Sequence, residues 1–189
     1  MTLYQIEVRA SAEQYDVQAQ QVAREILKLP RICLPSLAAI STSPSPLTIR
    51  TSQLYYLTGQ LTTTQIDHLT RQLLIDPVTQ EAELAQKQEM DSTAHFVDIF
   101  FHPGVTDTLA ESVLTGASML GITTLEHVET GRRYMLDKRL SEEEVRYITN
   151  ALLYNSVIQN YILHNSGIQF DALHETVGAI MHFDKLIQQ

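Results

Sequence analysis

One cysteine, Cys33, is the whole thiol content of this 189-residue chain, which excludes an intrachain disulfide framework. No run approaches the roughly 20 apolar residues that a membrane helix needs. Basic residues are scarce as well: 13 Lys and Arg stand against 22 Asp and Glu, a formal charge of −9. No basic stripe offsets that deficit, so the electrostatic term that drives nucleic-acid binding is unfavourable. Behind Met1, the stretch TLYQIEVRA carries Glu7 and Arg9 where a secretory signal would have its apolar core, which predicts a cytoplasmic protein. Neither a Walker loop, nor GxGxxG, nor the HExxH spacing occurs. What is left is the composition of a globular protein, 44% hydrophobic and 19% charged.

What the chain does have is an echo. LLIDPVTQEAEL at 73–84 returns as LLYNSVIQNYIL at 152–163, an offset of 152 − 73 = 79. Over the 31 positions from Leu54 to Leu84 against Arg133 to Leu163, nine are identical. They are Tyr55/Tyr134, Leu57/Leu136, Leu61/Leu140, Thr70/Thr149, Leu73/Leu152, Leu74/Leu153, Val78/Val157, Gln80/Gln159 and Leu84/Leu163. Structural signals recur in the same order. Thr62 with Gln65, and Ser141 with Glu144, both match the capping box that satisfies orphan N–H groups at a helix start. Behind these caps, Ile66, Leu69, Leu73 and Leu74 repeat as Val145, Ile148, Leu152 and Leu153, the stripe of a helix with one buried face.

Upstream, Asp16 and Val22 match Asp107 and Val113 at an offset of 91, so the first copy holds twelve extra residues (91 − 79). These fall around RICLPSLAAISTSPSP, residues 31–46, read as a surface loop insertion or else a contact loop. In the second copy a helix is expected from Asp107 as N-cap to Gly121 as C-cap, and its counterpart runs from about Val17 to Leu29. Tyr4, Ile6 and Val8 alternate with polar residues as a strand does, whereas FVDIFF at 96–101 is apolar on both faces except at Asp98. The predicted class is α+β. Two βαββα(β) repeats, each a small antiparallel sheet with its helices on one face, pack as an intrachain pseudo-dimer. The expected divisions are a first repeat over 1–86, a linker over 87–94, a second repeat over 95–163 and a helical tail over 164–189. That tail has helical spacing at Leu173, Val177, Ile180 and Met181. In each central hairpin, Tyr55 and Leu57, like Tyr134 and Leu136, belong under the helices. Leu54 and Tyr56, like Arg133 and Met135, face the other way, toward a sheet or partner contact.

No catalytic, cofactor or metal constellation emerges. His174 and His182 are eight apart, roughly 12 Å along a helix, too far to share a metal. His95 and His102, seven apart, point to opposite faces of a strand. Cys33 has no CxxC partner. HPGVTD at 102–107 reads as a Pro-Gly turn before a helix, since Asp107 at its cap would repel an anion. TGRRY at 130–134 holds the only adjacent arginines. On a strand they point to opposite faces, so they read either as salt-bridged or solvated hairpin residues or as a docking point for a partner. The interface candidates are therefore Arg132, Arg133, Met135, Leu54 and Tyr56, and Arg133→Glu is expected to weaken partner binding with folding nearly intact.

The pieces HPGVTDTLAESVL, TGRRYMLDKRLSEEEV and LLYNSVIQNYIL resemble the small PurS subunit of phosphoribosylformylglycinamidine synthase, in a tandem form found at the N-terminus of some long synthase chains. In the first copy SAEQYD replaces the proline-glycine turn. The resemblance implies a non-catalytic scaffold in de novo purine biosynthesis, bridging glutaminase and synthetase and helping to form the ammonia passage. ATP and Mg would belong to a synthetase domain outside this chain, and homo-oligomers are allowed. It implies either the N-terminal part of a longer synthase or a free-standing subunit. The rival expectation is a tandem α+β domain that senses a small molecule between its copies.

Overall fold

A computed structural model describes residues 2–84 and 94–164. The expected linker over 87–94 (up to residue 93) and the expected tail beyond His164, including His174 and His182, lie outside them. The strands are β1 (Thr2–Ala10), β2 (Ile49–Gly59), β3 (Gln80–Leu84), β4 (Ala94–Phe101), β5 (Leu125–Asp137) and β6 (Gln159–His164). The helices are α1 (Val17–Ile26), α2 (Ser36–Thr42), α3 (Thr63–Leu69), α4 (Thr108–Met119) and α5 (Glu142–Ile148). The sheet order is β3-β1-β2-β5-β4-β6, and β1–β2, β1–β3 and β4–β6 all pair antiparallel. Since β1, β2 and β3 correspond to β4, β5 and β6 in the repeat, that order reads the same from either end.

The expected central hairpins are absent. Each is one continuous strand, β2 or β5, and TGRRY runs through the middle of β5 rather than round a turn. The Gly131 carbonyl there accepts a bond from Gln53 Nε2 at 2.8 Å. A hairpin reading needs the chain to reverse, but Thr130, Gly131 and Arg133 are all buried within one uninterrupted strand. The insertion is likewise not a loop. It forms a 3₁₀ turn at Arg31–Cys33 and then α2, with Leu34, Leu37 and Ile40 buried. Each such side chain contributes about 1.5–3 kcal/mol on leaving water, which is why this proline-bearing stretch orders.

The chain divides into two compact units that cut across the repeats. One comprises the described residues of 1–16, 52–86 and 106–132. Its core joins Ile6 and Val8 of β1 and Tyr55 and Leu57 of β2 to Ile66 and Leu69 of α3 and to Ala110, Val113 and Ala117 of α4. Gly59 closes β2 where a Cβ would meet the Thr124 carbonyl oxygen at 2.2 Å, so only glycine fits. The C-cap of α4 is Leu120 rather than the expected Gly121, which follows it at φ +77, the left-handed position that favours glycine just past a helix end.

The other unit comprises the described residues of 17–51, 87–105 and 133–189. There Val97 and Ile99 of β4 and Tyr134 and Leu136 of β5 pack with Val145 and Ile148 of α5, Ile26 of α1, and Leu34, Leu37 and Ile40 of the insertion. Each unit thus takes most of its strands and the second helix from one repeat, and from the other the first helix with part of the long strand, 125–132 in one unit and 49–51 in the other. Tyr55, Leu57, Tyr134 and Leu136 do lie under helices, as their alternation predicts.

The shared residues do the same work in both places. Both capping boxes are complete. Thr70 Oγ1 donates to the Ile66 carbonyl at 2.7 Å and Thr149 Oγ1 to the Val145 carbonyl at 2.8 Å, each at the start of a π turn that ends its helix. Gln80 Oε1 accepts from Asp76 N–H and Gln159 Oε1 from Asn155 N–H, both at 2.9 Å, shaping the turn into β3 or β6. Val157 sits 80% exposed in that turn, two residues before β6.

Candidate functional site

On the face of β4 and β5 turned away from the helices, an acid sits in an apolar strand. Asp98 is fully buried between Val97 and Ile99. An isolated buried carboxylate is costly, so it demands cations. Arg133 supplies one side-on, with Nε donating to Oδ1 at 2.7 Å and Nη2 to Oδ2 at 2.8 Å. His164, at the end of β6, places Nε2 3.0 Å from Oδ2. An ionised carboxylate only accepts, so Nε2 carries the proton of that contact. Burial raises the Asp98 pKa, but the Arg133 charge and its bonds, with those of His164, outweigh it and hold the acid at about 2. The Arg133 guanidinium also lies 5.7 Å from the Phe96 ring centroid, a cation–π distance.

The five interface candidates therefore separate. Leu54, Tyr56 and Arg133 are buried in the chain, at 0%, 3% and 3% exposure. Arg133 is an internal ion-pair partner, so Arg133→Glu would set two carboxylates together in the interior, and the expectation of nearly intact folding is withdrawn. Met135 is half-buried and Arg132 exposed, so of the two arginines Arg132 is the one turned to solvent.

A second charged constellation lies where β5 leads into α5. Asp137 accepts from Thr48 N–H at 3.0 Å and from Arg139 Nε at 2.8 Å. Burial raises its pKa, but the bonds from Arg139 and from backbone N–H groups bring it to about 2. Arg139 in turn donates to the carbonyls of Ser45 and Pro46. Glu144, only 2% exposed, accepts from Ser36 N–H at 2.7 Å and from Ser141 N–H at 2.6 Å. Burial opposes its ionisation, but the Ser36 and Ser141 bonds prevail and hold it below the usual carboxylate range.

None of these charges was assigned a partner from sequence. Asp98 had a visible signal, one acid inside an apolar strand, and a buried cation was its implied complement. Arg139, Asp137 and Glu144 had none beyond the capping box, since the groups they hold on the insertion side lie 89 to 108 residues away, while Asp137 and Arg139 also pair with each other two residues apart. Among the described residues, no three His, Cys, Asp or Glu side chains gather as metal ligands, and no helix is long and apolar enough to cross a membrane. His95 Nε2 instead lies 2.8 Å from the Leu140 carbonyl, and His102 Nε2 3.3 Å from that of Ser156. Asp107 caps α4 through Ala110 N–H and also accepts from Thr130 N–H and Oγ1, which fills the carboxylate at the HPGVTD turn.

The fold is an antiparallel α+β sheet in which Asp98, Arg133, Asp137, Arg139 and Glu144 are engaged in pairs and caps within the chain. Within the chain, residues 95–166 match the family model PurS, described as phosphoribosylformylglycinamidine (FGAM) synthase, and this stretch from β4 through β6 is a PurS-like region. The match links the chain to FGAM synthase of purine biosynthesis, and to partner proteins, since PurS is a subunit of that complex. No curated protein matches the chain.

Proposed function

We propose that this chain is a non-catalytic scaffold of FGAM synthase, working in the cytoplasm, that bridges the glutaminase and the synthetase and helps to form the ammonia passage. The match over 95–166 carries this reading. The first repeat is a second PurS-like unit, and the two form an internal pseudo-dimer; the palindromic strand order and the duplicated Thr and Gln bonds support that step. ATP and Mg act in the synthetase, as part of the same chain or as a separate subunit. Arg132 and Met135 remain as contact points, being the two candidates not enclosed by the chain.

The test is reconstitution. The chain, mixed with the synthetase and glutaminase of the same source, should co-purify with both and support glutamine-dependent formation of the amidine product. Failure on both counts would sink the scaffold reading. Saturable binding of a nucleotide or amino acid by the chain alone, in calorimetry, would favour ligand sensing in its place.

A further inference from the structure

The insertion carries its own fastenings. Its inner side is apolar, with Leu34, Leu37 and Ile40 buried, while Pro35, Ala38 and Ala39 are exposed. At its leading end, the Ser36 N–H is fastened to Glu144, the same carboxylate that completes the cap of α5. At its trailing end, Arg139 holds the Ser45 and Pro46 carbonyls at 3.1 and 2.8 Å, and Asp137 holds the Thr48 N–H at 3.0 Å. All three fastening residues lie within 137–144. At the matching positions of the first repeat, 79 residues earlier, stand Thr58, Gln60 and Gln65. None carries charge, and the second repeat has no insertion for them to hold. The carboxylates and the guanidinium therefore occur in the copy whose unit bears the extra helix.

We propose that residues 34–48 form a latched strap: a segment closed over the apolar core of its unit, fastened at both ends by polar locks, and able to open as a piece while β4, β5 and β6 stay folded. The packing favours this separation. The strap contributes three buried side chains, whereas the strands beneath are tied by their own ladder of backbone bonds and by the Asp98–Arg133 pair. Segments with few buried contacts open at lower free energy than core strands. With the strap open, the apolar side chains it covers become reachable, so the locks regulate exposure of that core. This inference concerns the strap alone and does not rest on the scaffold reading.

Hydrogen exchange on the full chain, read by mass spectrometry, tests it. Glu144→Gln and Arg139→Gln install the residues that the first repeat uses; the first retains size and polarity, the second polarity alone. Glu144→Gln is expected to speed exchange of the α2 amides about tenfold, as loss of one charge-assisted bond implies, with β4 and β5 unchanged. Arg139→Gln should act at the trailing end with the same restriction, and the double variant should exceed either. Equal acceleration in the strap and the strands would show one cooperative unit and overturn the proposal. So would unaltered exchange in α2. A variant that fails to fold counts against it as well, since the strap would then be indispensable to the unit.

Discussion

Glu7 and Leu54 face each other across β1 and β2, and the positions that match them in the second repeat hold Asp98 and Arg133. Both pairs are buried, with Leu54 and Asp98 at 0% exposure and Glu7 at 5%. One site in the fold is thus filled by an acid beside a leucine in the first copy and by an acid beside an arginine in the second. At the matched position only the second copy has a guanidinium. Its presence in β5 answers a local need, the burial of Asp98 with no water to solvate it. A similar asymmetry separates Gln65 from Glu144, where the charged member appears in the unit that carries α2. Differences between the copies mark internal fastenings first, and only the exposed ones, such as Arg132, are available to partners.

The sharpest way to break that comparison is to give the second copy the first copy's residue. Arg133→Leu leaves Asp98 in the interior with His164 alone and should cost about 3–5 kcal/mol in urea unfolding, the range for removing one member of a buried pair. Adding Asp98→Leu should recover most of the loss, because an apolar replacement of both members is close to neutral. If Arg133→Leu costs less than about 1 kcal/mol, the scale of an exposed ion pair, the guanidinium is dispensable inside and the docking role returns.

Acid should open the same difference more gently. The folded-state pKa of Asp98 is depressed to about 2 from 3.8. Its contribution is therefore fully present above the unfolded value near 4 and is lost as pH falls toward 2, amounting to about 2 kcal/mol over that window. Asp137, held equally low, adds to the same slope. Stability measured by urea from pH 5 to pH 2 should fall less steeply in Asp98→Asn than in the parent chain, and parallel curves would show that this carboxylate does not set the acid response.

Periodicity and caps were legible in the sequence because they are local. Ile66, Leu69, Val145 and Ile148 announce their buried face, and Thr62 and Ser141 their caps, within one or two turns of helix. Continuity of β2 and β5 was not, since Gly131 in TGRRY is as compatible with a turn as with a strand interior and only its neighbours across the ladder decide. The exchange of α1 and α4 between units was invisible for a related reason. An amphipathic stripe specifies that a helix is buried, not which strands bury it, and Val113 or Ile26 satisfies either set of strands. The insertion misled through its prolines, Pro35, Pro44 and Pro46, which mark its ends, while Leu37 and Ile40 between them carry the helical face and Leu34 is buried just ahead of it.

The capping boxes offer the finest comparison, because the two copies share the device and differ only in surroundings. Thr62 Oγ1 accepts from Gln65 N–H at 3.2 Å at an exposed helix start, where water can replace the hydroxyl. Ser141 Oγ accepts from Glu144 N–H at 3.3 Å in a partly buried one, where the freed N–H is harder for water to reach. Glu142 and Glu143 in the first turn of α5 favour its positive end with or without the serine, an aid that α3 lacks. Burial outweighs that aid, because the dipole term of exposed acids is a few tenths of a kcal/mol whereas an unsatisfied buried donor costs more. Thr62→Ala should therefore lose about 1 kcal/mol and Ser141→Ala about 2, the span typical of caps, both read from urea midpoints at constant m. Equal losses would show that the second unit gains nothing from enclosing its cap, and would remove one reason for Glu144 to be buried there.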